Sequence, residues 1–509
     1  MANDSNQVGF FAAEALENTA ERQPNKTAII AKEEQLTFGE LNRRVQALAA
    51  HLSAEGVQPG DRVGVLLPNS VAIPLSYYAT QKIGAVTVVL DARLRGKELE
   101  GVMRDADLRL FIVHQQLFSE VEDILRSLPS VSVWIVDGDD DRSFEKRLSA
   151  SASQVNSNLR DPDDDALILY TSGTTGEPKG VVLTYRNLLQ YPRVMREMGI
   201  TDSSTVRGCI LPMSHIVGPV VCNELVEKGY TLVIFDQLNP VTLLEGIQTH
   251  RVTVFEGVPI VFQLILGVRN LATYDTSSMK TAAMMGTTVP IPLLRAFKEA
   301  QPHIKVIQGY GLTETSPLIT LVEPEQALTK MGSIGRRVPG VEVKIIDDGG
   351  NEVPVEDSGE IITRGPHVMK GYFRKPEATA ARIRDGWLHT GDVGKCSADG
   401  YYFHLGRRDD MIITGGLNVY PAEVENMIYN YPKIQEAIVF AIPDAKRGHV
   451  IGAAVVVKEG ETIVEKDLLA FLRTNLARFK LPQRVVVRQS LPRTSSGKII
   501  RDAAALLSA

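Results

Sequence analysis

The run Tyr170–Gly180, "YTSGTTGEPKG", gathers five hydroxyl side chains, three glycines and one lysine into a single short stretch. That composition suits a loop that grips polyphosphate. It follows the apolar stretch "ALILY" and leads into "VVLTYRNLL", so it reads as a glycine-rich turn at the end of a strand. A turn of this kind can aim successive backbone N–H groups into one concavity, where phosphate oxygens accept them. The hydroxyls of Thr171, Ser172, Thr174 and Thr175 add donors, and Lys179 supplies positive charge. The loop is not a Walker A sequence, which needs Gly before its Lys and Ser or Thr after it; here Pro178 precedes Lys179 and Gly180 follows. P-loop chemistry is excluded on that ground. A flexible linker could have a similar composition, but linkers seldom lie between two buried-strand patterns with Pro-Lys-Gly at one edge.

Around this loop the chain alternates short β-rich runs with helical patterns. Upstream, "AIIA", "RVGVLLP", "AVTVVLD", "LRLFIVH" and "VSVWIVDG" lie near segments such as "TFGELNRRVQALAAHLSAEG". The alternation predicts βαβ units and a largely parallel sheet. Downstream, "TLVIFD", "VTVFEGV" and "IKVIQGYG" predict a second sheet of the same kind. From about Gly332 to Arg407 the pattern changes to short strands punctuated by Gly, Pro and Asp-Gly, the mark of hairpins in a small β-barrel-like subdomain. After "GRRDD" comes a piece whose length suits a small α+β domain. The fold class is therefore α/β: a large N-terminal domain over residues 1–408 with two doubly wound sheets and a β-subdomain, then a small domain over 409–509. The acidic runs "DGDDD" (137–141) and "DPDDD" (161–165) read as solvated loops.

The totals narrow the function classes. A chain of 509 residues is too long for one core. With 44% hydrophobic and 23% charged residues, it is neither disordered nor fibrous. Its formal charge is −6 and Lys and Arg form no stripe, so nucleic acid is not an expected partner. Cys209, Cys222 and Cys396 are odd in number and lack metal-ligand spacing, which predicts buried thiols in a reducing compartment without disulfide or structural zinc. No window approaches the roughly 20 apolar residues that cross a bilayer. The start lacks a basic region followed by an apolar core, and the end "AAALLSA" carries no prenylation or peroxisomal pattern. The expectation is a cytoplasmic enzyme with no stable membrane insertion.

Further runs follow in order: "GYGLTET" (309–315), "WLHTGD" (387–392), "GRRDDMIITGGLNVYPAEVE" (406–425) and "PRTSSGKIIRD" (492–502). With the hydroxyl loop, their order and separations resemble the adenylate-forming superfamily of acyl-CoA synthetases, carrier-loading adenylation domains and luciferases. The likeness in type is greatest to AMP-forming fatty acid or aryl acid CoA ligases. It spans nearly the whole chain, and five long runs in order are far more specific than any one short pattern.

The resemblance implies ATP, Mg2+ and coenzyme A, and it implies roles for individual residues. Thr171, Ser172, Gly173, Thr174, Thr175, Gly176 and Lys179 would enclose the β- and γ-phosphates. Tyr310 would lie against adenine, with Gly311 in the same nucleotide-binding run; Thr313 would meet the α-phosphate, and Glu314 would hold magnesium with Thr171 as a second ligand. One carboxylate suffices, because Mg2+ also takes phosphate oxygens and keeps several waters. Asp392 would accept hydrogen bonds from both ribose hydroxyls, as a carboxylate's two oxygens allow, and Arg407 would reach the nucleoside. Lys498 is the implied catalytic lysine, its ammonium stabilising the charge that gathers as a carboxylate attacks the α-phosphorus.

The implied reaction has two halves in one cleft. Acid and ATP give acyl-AMP and pyrophosphate, and a thiol then displaces AMP. The small domain would rotate about Asp409 between the halves, and Gly415 and Gly416 would line the tunnel for a narrow pantetheine arm. His215 in "LPMSHIVG" matches a family position beside the acyl carboxylate, and the implied pocket would also draw on Val217, Gly218, Gly286 and Thr287. Two departures bear on acid specificity: Ser214 replaces an aromatic common before that His, and "MMGTTVP" (284–290) stands where relatives commonly have a "GGAP"-like run. The pocket residues include no cation for a second carboxylate, so the expected acid is mainly apolar, a medium- or long-chain fatty acid, with an aryl acid as the alternative. A stand-alone enzyme that loads a separate carrier protein is a further alternative; the chain after Lys498 leaves no room for a fused carrier. The intact set Lys179, Glu314, Asp392, Arg407 and Lys498 argues against a binding protein that has lost catalysis. Nothing points to the additional pocket features that a luciferase-like oxygenase needs.

Overall fold

The computed structural model describes residues 11–32, 34–149, 155, 160–171, 178–458, 460–493 and 499–507. Among these residues the large N-terminal part carries two largely parallel sheets. In the first, the order is Gly371–Tyr372, Lys179–Thr184, Asp165–Thr171, Val86–Val89, Arg62–Leu66, Leu110–His114 and Ser132–Val136. It is parallel from Asp165–Thr171 onward and antiparallel at the other edge. In the second, the order is Arg336–Arg337, Thr320–Val322, Lys305–Tyr310, Thr281–Met284, Val254–Gly257, Val206–Cys209, Thr231–Ile234, Thr27–Ala31 and Glu34–Thr37. Here the parallel block runs from Lys305–Tyr310 to Thr27–Ala31.

Because side chains alternate across a strand, each sheet feeds two cores. Leu110 and Ile112 of one sheet and Leu232 and Ile234 of the other face a shared core between them. Phe111 and Val113 turn outward against helices Gly96–Asp105 and Phe118–Arg126, and Val233 turns outward against Pro240–His250, Pro259–Leu266 and Ile291–Ala300. Helices Phe38–Ala54, Ala72–Lys82 and Val217–Lys228 contribute to the shared core. Every residue of Ala72–Lys82 is buried, as expected of a helix covered on all sides.

The β-rich stretch forms a separate antiparallel sheet: Glu342–Ile346, Ser358–Arg364, Trp387–Cys396 and Ile383–Arg384 in order, with Tyr402–Arg407 also paired to Trp387–Cys396. The small C-terminal unit has a mixed sheet in the order Leu417–Val419, Ile412–Thr414, Gly448–Val457 and Ile434–Asp444, with Arg484–Arg488 parallel to Gly448–Val457. Helices Pro421–Tyr429 and Glu465–Asn475 cover one face through Val424, Ile428, Leu468 and Leu472. The expected architecture stands: mixed α/β, with a large N-terminal and a small C-terminal part.

Two details differ from the sequence pattern. The strand containing "AIIA" forms a hairpin with Glu34–Thr37 and pairs in parallel with Thr231–Ile234 in the second sheet, rather than joining the sheet of "RVGVLLP", "AVTVVLD" and "LRLFIVH". Strands Val206–Cys209 and Thr281–Met284 interrupt their apolar runs with Arg207 and Gly208 or with alanines, which hides them from a hydrophobicity reading. Cys209 and Cys222 are buried, whereas Cys396 is only half buried. Among the described residues no helix is long and apolar enough to cross a membrane.

Candidate active site

Several of the expected site positions lie at the carboxyl ends of parallel strands, where ligands bind in open α/β sheets. Thr171 ends Asp165–Thr171, Tyr310 ends Lys305–Tyr310, Gly286 and Thr287 follow Thr281–Met284, and His215 follows Val206–Cys209. Ser172, Gly173, Thr174, Thr175 and Gly176 lie outside the described residues, as does Lys498.

A first group joins the base of the hydroxyl loop to Glu314. Thr171 pairs with Lys179 across the two strands that flank the loop. Gly371–Tyr372 adds to the edge beside them, with Tyr372 opposite Val181. The Lys179 ammonium has no ion-pair partner among the described residues and lies 5.5 Å from the Tyr372 ring centroid, a cation–π distance. The Tyr372 hydroxyl donates to Glu314 Oε1 at 2.9 Å. Burial first, then the Glu314 carboxylate, pushes that phenol well above its usual value, so it remains a donor. Glu314 is buried, and its Oε2 has no hydrogen-bond partner among the described residues. It sits in the tight turn Thr313–Thr315, which Gly311 makes possible: a Cβ there would lie 1.7 Å from the Pro317 carbonyl oxygen. The Thr313 hydroxyl is likewise unpartnered among the described residues.

A second group surrounds Asp392. Antiparallel register places Asp392 opposite Arg407, and the Arg407 Nη1 donates to Asp392 Oδ1 at 3.1 Å. The Tyr310 hydroxyl donates to Oδ2 at 2.6 Å. His404 Nε2 stands 3.6 Å from Oδ1, with its ring centroid 5.7 Å from that of Tyr310. Burial alone would raise the Asp392 pKa, but His404, Arg407 and the Tyr310 hydroxyl outweigh it and hold the carboxyl below the usual range. Asp392 is thus ionised at neutral pH, with a lone pair left on each oxygen. Its turn is braced from below: Thr390 Oγ1 accepts from the Asp392 N–H at 3.1 Å and donates to the Ile361 carbonyl at 2.6 Å, while Glu360 accepts from the Gly391 N–H at 3.0 Å.

A third group, around His215, shares no hydrogen bond with the other two among the described residues. Asn69, beyond the strand Arg62–Leu66, stitches the sheets together at this edge. Its side-chain amide donates to the carbonyls of Leu211 and Phe235, each at 3.0 Å, and accepts from the Met213 N–H at 2.8 Å. Gly218 is buried against the same loop, where a Cβ would meet the Met213 carbonyl oxygen at 2.1 Å. Val217 is half buried, whereas Gly286 and Thr287 are exposed, Gly286 with φ +87°.

Between the two parts of the chain, Arg408 belongs to the large one. Its N–H donates to the Gly391 carbonyl at 2.8 Å and its guanidinium to Asp348 at 2.6 Å. Asp410 instead faces Arg501 of the small unit at 3.7 Å. Asp409 is exposed between them. Gly415 and Gly416 form the exposed turn between Ile412–Thr414 and Leu417–Val419, with φ +57° and +81° and open space where a Cβ would stand.

Residues 16–373 match the family model described as AMP-binding enzyme, and residues 423–498 match that of the AMP-binding enzyme C-terminal domain. The chain belongs to the AMP-binding enzyme family. This AMP-binding enzyme is 36% identical to a feruloyl-CoA synthase of Amycolatopsis sp. over 95% of its own length and 96% of the other chain. It is 34% identical to the long-chain-fatty-acid–CoA ligase of Bacillus subtilis (strain 168), over 96% and 92%. Among solved structures it is similar to o-succinylbenzoate CoA synthetase (MenE) from Bacillus subtilis in complex with the acyl-adenylate intermediate OSB-AMP, with a TM-score of 0.85, 30% identity and coverage of 97% and 98%. The expectation of an acid–thiol ligase of the adenylate-forming superfamily stands.

Sequence reading of this AMP-binding enzyme missed Tyr372, which meets Glu314, His404, which stands beside Asp392, and Asn69, which joins the two sheets. Tyr372 lies outside the five runs, and only strand pairing brings it to Glu314. His404 had a usable signal, its place opposite Gly394 in the hairpin that also pairs Asp392 with Arg407.

Proposed function

We propose that this chain is an AMP-forming carboxylate–CoA ligase acting on a mainly apolar acid. The observation that carries the reading is the buried Asp392 carboxylate, oriented by Tyr310 and Arg407 with a lone pair to spare on each oxygen. That arrangement supports a diol acceptor for ribose, with the Tyr310 ring against the base. Lys179 stands ready for the β- and γ-phosphates at the neck of the loop, and Thr313 for the α-phosphate. Magnesium fits the donor set: the unpartnered Oε2 of Glu314 is a hard oxygen in a buried setting, and Thr171 would add its hydroxyl. Among the described residues no group of three or more His, Cys, Asp or Glu could hold a metal ion, so phosphate oxygens and waters would complete the shell. Bound there, the ion would neutralise charge on the triphosphate. Lys498, on the tail, would stabilise the pentavalent centre as the acid attacks.

His215, Val217, Gly218, Gly286 and Thr287 would border the acid. Arg93 stands beside His215 but is paired with Asp91, so among the described residues named here as bordering the acid none offers an uncommitted cation for a second carboxylate. A medium- or long-chain fatty acid is the leading substrate class. An aryl acid is the second reading, favoured by the feruloyl-CoA synthase among the relatives. The small domain from residue 409 would turn about Asp409 to bring Gly415 and Gly416 to the pantetheine arm, with CoA preferred over a carrier protein as acceptor.

A pyrophosphate-release screen over straight-chain, branched and aromatic acids, with and without CoA, tests the reading. Acid-dependent pyrophosphate and AMP, with a thioester appearing on addition of CoA, is the expected outcome. Formation of ADP and orthophosphate would overturn it, and thioester formation on a holo-carrier but not on CoA would change the acceptor.

A further inference from the structure

His215 is held at one nitrogen. Its Nε2 lies 3.1 Å from Arg93 Nη2 and 3.6 Å from Asp91 Oδ2, while its Nδ1 has no hydrogen-bond partner among the described residues. Arg93 is tied down by Asp91: Nε donates to Oδ1 at 2.8 Å, Nη2 to Oδ2 at 2.5 Å, and the Arg93 backbone N–H to Oδ1 at 2.9 Å. A two-pronged pair of this kind fixes the guanidinium plane. The three side chains come from the loops after Val86–Val89 and Val206–Cys209, one from each sheet.

A guanidinium has donors and no acceptor. A ring nitrogen 3.1 Å from one must present its lone pair, because N–H facing N–H is repulsive. That assigns the proton to Nδ1 and leaves the ring neutral, in a side chain 45% exposed.

We propose that Asp91 and Arg93 are a positioning pair that fixes His215 as the neutral Nδ1–H tautomer, a hydrogen-bond donor for the carboxylate of the acid substrate. The proposal rests on the carboxylate-activating reading above. A neutral donor orients one carboxylate oxygen without quenching the charge that must attack the α-phosphorus. An imidazolium would stabilise the ground-state carboxylate more than a transition state in which that charge has moved to phosphate. The charged groups that face the ring agree with this: desolvation first lowers its pKa, Arg93 lowers it further, and Asp91 opposes both without reversing them.

The test uses the full chain labelled with 15N-histidine, with His215→Gln to assign the resonance. Two-bond ring correlations should show the Nδ1–H pattern at neutral pH in the wild type. Arg93→Gln removes the cation and frees Asp91 to attract a proton, so the His215 pKa should rise. Asp91→Asn removes the opposing carboxylate, so it should fall. A merely loosened loop would move both variants the same way, towards the value of free histidine, and that result overturns the proposal, as does an Nε2–H pattern in the wild type. Arg93→Lys, which keeps the charge without the fork, should restore most of the wild-type titration and serves if Arg93→Gln does not fold. In ATP–pyrophosphate exchange with octanoate and ferulate as probes, Arg93→Gln should raise KM for the acid on the order of tenfold, with a smaller change in KM for ATP. Absence of acid-dependent exchange in the wild type would sink the ligase reading while leaving the ring assignment standing; normal exchange with the wrong tautomer would sink the pair alone.

Discussion

Asp392 stays ionised in a nearly dry position because three neighbours outweigh its desolvation. Replacing it with Asn keeps the shape but removes the charge and half the acceptor capacity, so KM for ATP should rise on the order of tenfold or more; an unchanged KM would remove it from the nucleotide site. Since its folded-state pKa is depressed, it contributes stability that is complete above the unfolded value of about 3.9 and is lost as pH falls through the folded value. Asp392→Asn should therefore melt at a temperature less sensitive to acid than the wild type, as calorimetry across that window would show. Lys498→Ala should abolish acid-dependent ATP–pyrophosphate exchange while largely sparing thioester formation from a supplied acyl-adenylate, and normal exchange would refute its role. At this scale the sequence offers candidates wherever the proposed chemistry lies inside a continuous run, as for Tyr310, Glu314 and Arg407. It was silent where two distant residues meet, as Tyr372 and Glu314 do across 58 positions or Arg93 and His215 across 122.

Elements place these residues through tight turns at strand ends. Gly311→Ala would drive a methyl group into the Pro317 carbonyl, and the turn that presents Thr313 and Glu314 would have to open. A loss of about 2–4 kcal/mol in denaturant melts, with weakened exchange, is the expected result. Behind His215, helix Val217–Lys228 carries Glu224, which with Glu256 shares the buried Arg207. Arg207→Met leaves two carboxylates in a dry core without their cation and should cost about 3–5 kcal/mol; equal stability would show that the cluster is neutralised by protonation. Arg207 is also the reason its strand was hard to find. A charged residue inside a short run reads as surface until the two partners, far away in sequence, are known. Continuous apolar runs such as "LRLFIVH" needed no such help, because their apolar residues serve cores on both faces.

For the whole molecule, the change of pattern at "GRRDD" marks the proposed boundary between the large and the small part, and the proposed pivot Asp409 lies between Arg408, bonded to Gly391 and Asp348, and Asp410, whose backbone N–H donates to the Arg407 carbonyl while its carboxylate faces Arg501. Asp409→Pro should slow thioester formation roughly tenfold or more while changing adenylation little; equal slowing of both steps would count against a pivot. The path of the first strand could not be read, since nothing near Thr27–Ala31 says which sheet it will enter. Its partner Thr231 lies 204 residues downstream. On a ribosome adding 5–20 residues each second, that strand waits roughly ten to forty seconds for the neighbour it needs. Throughout that interval Ala28 and Ile29, later fully buried, are open to chaperones or to a second nascent chain. Deleting the amino-terminal hairpin would leave the edge of Thr231–Ile234 bare for the life of the protein, and the cost should appear as aggregation during expression before it appears as lost catalysis.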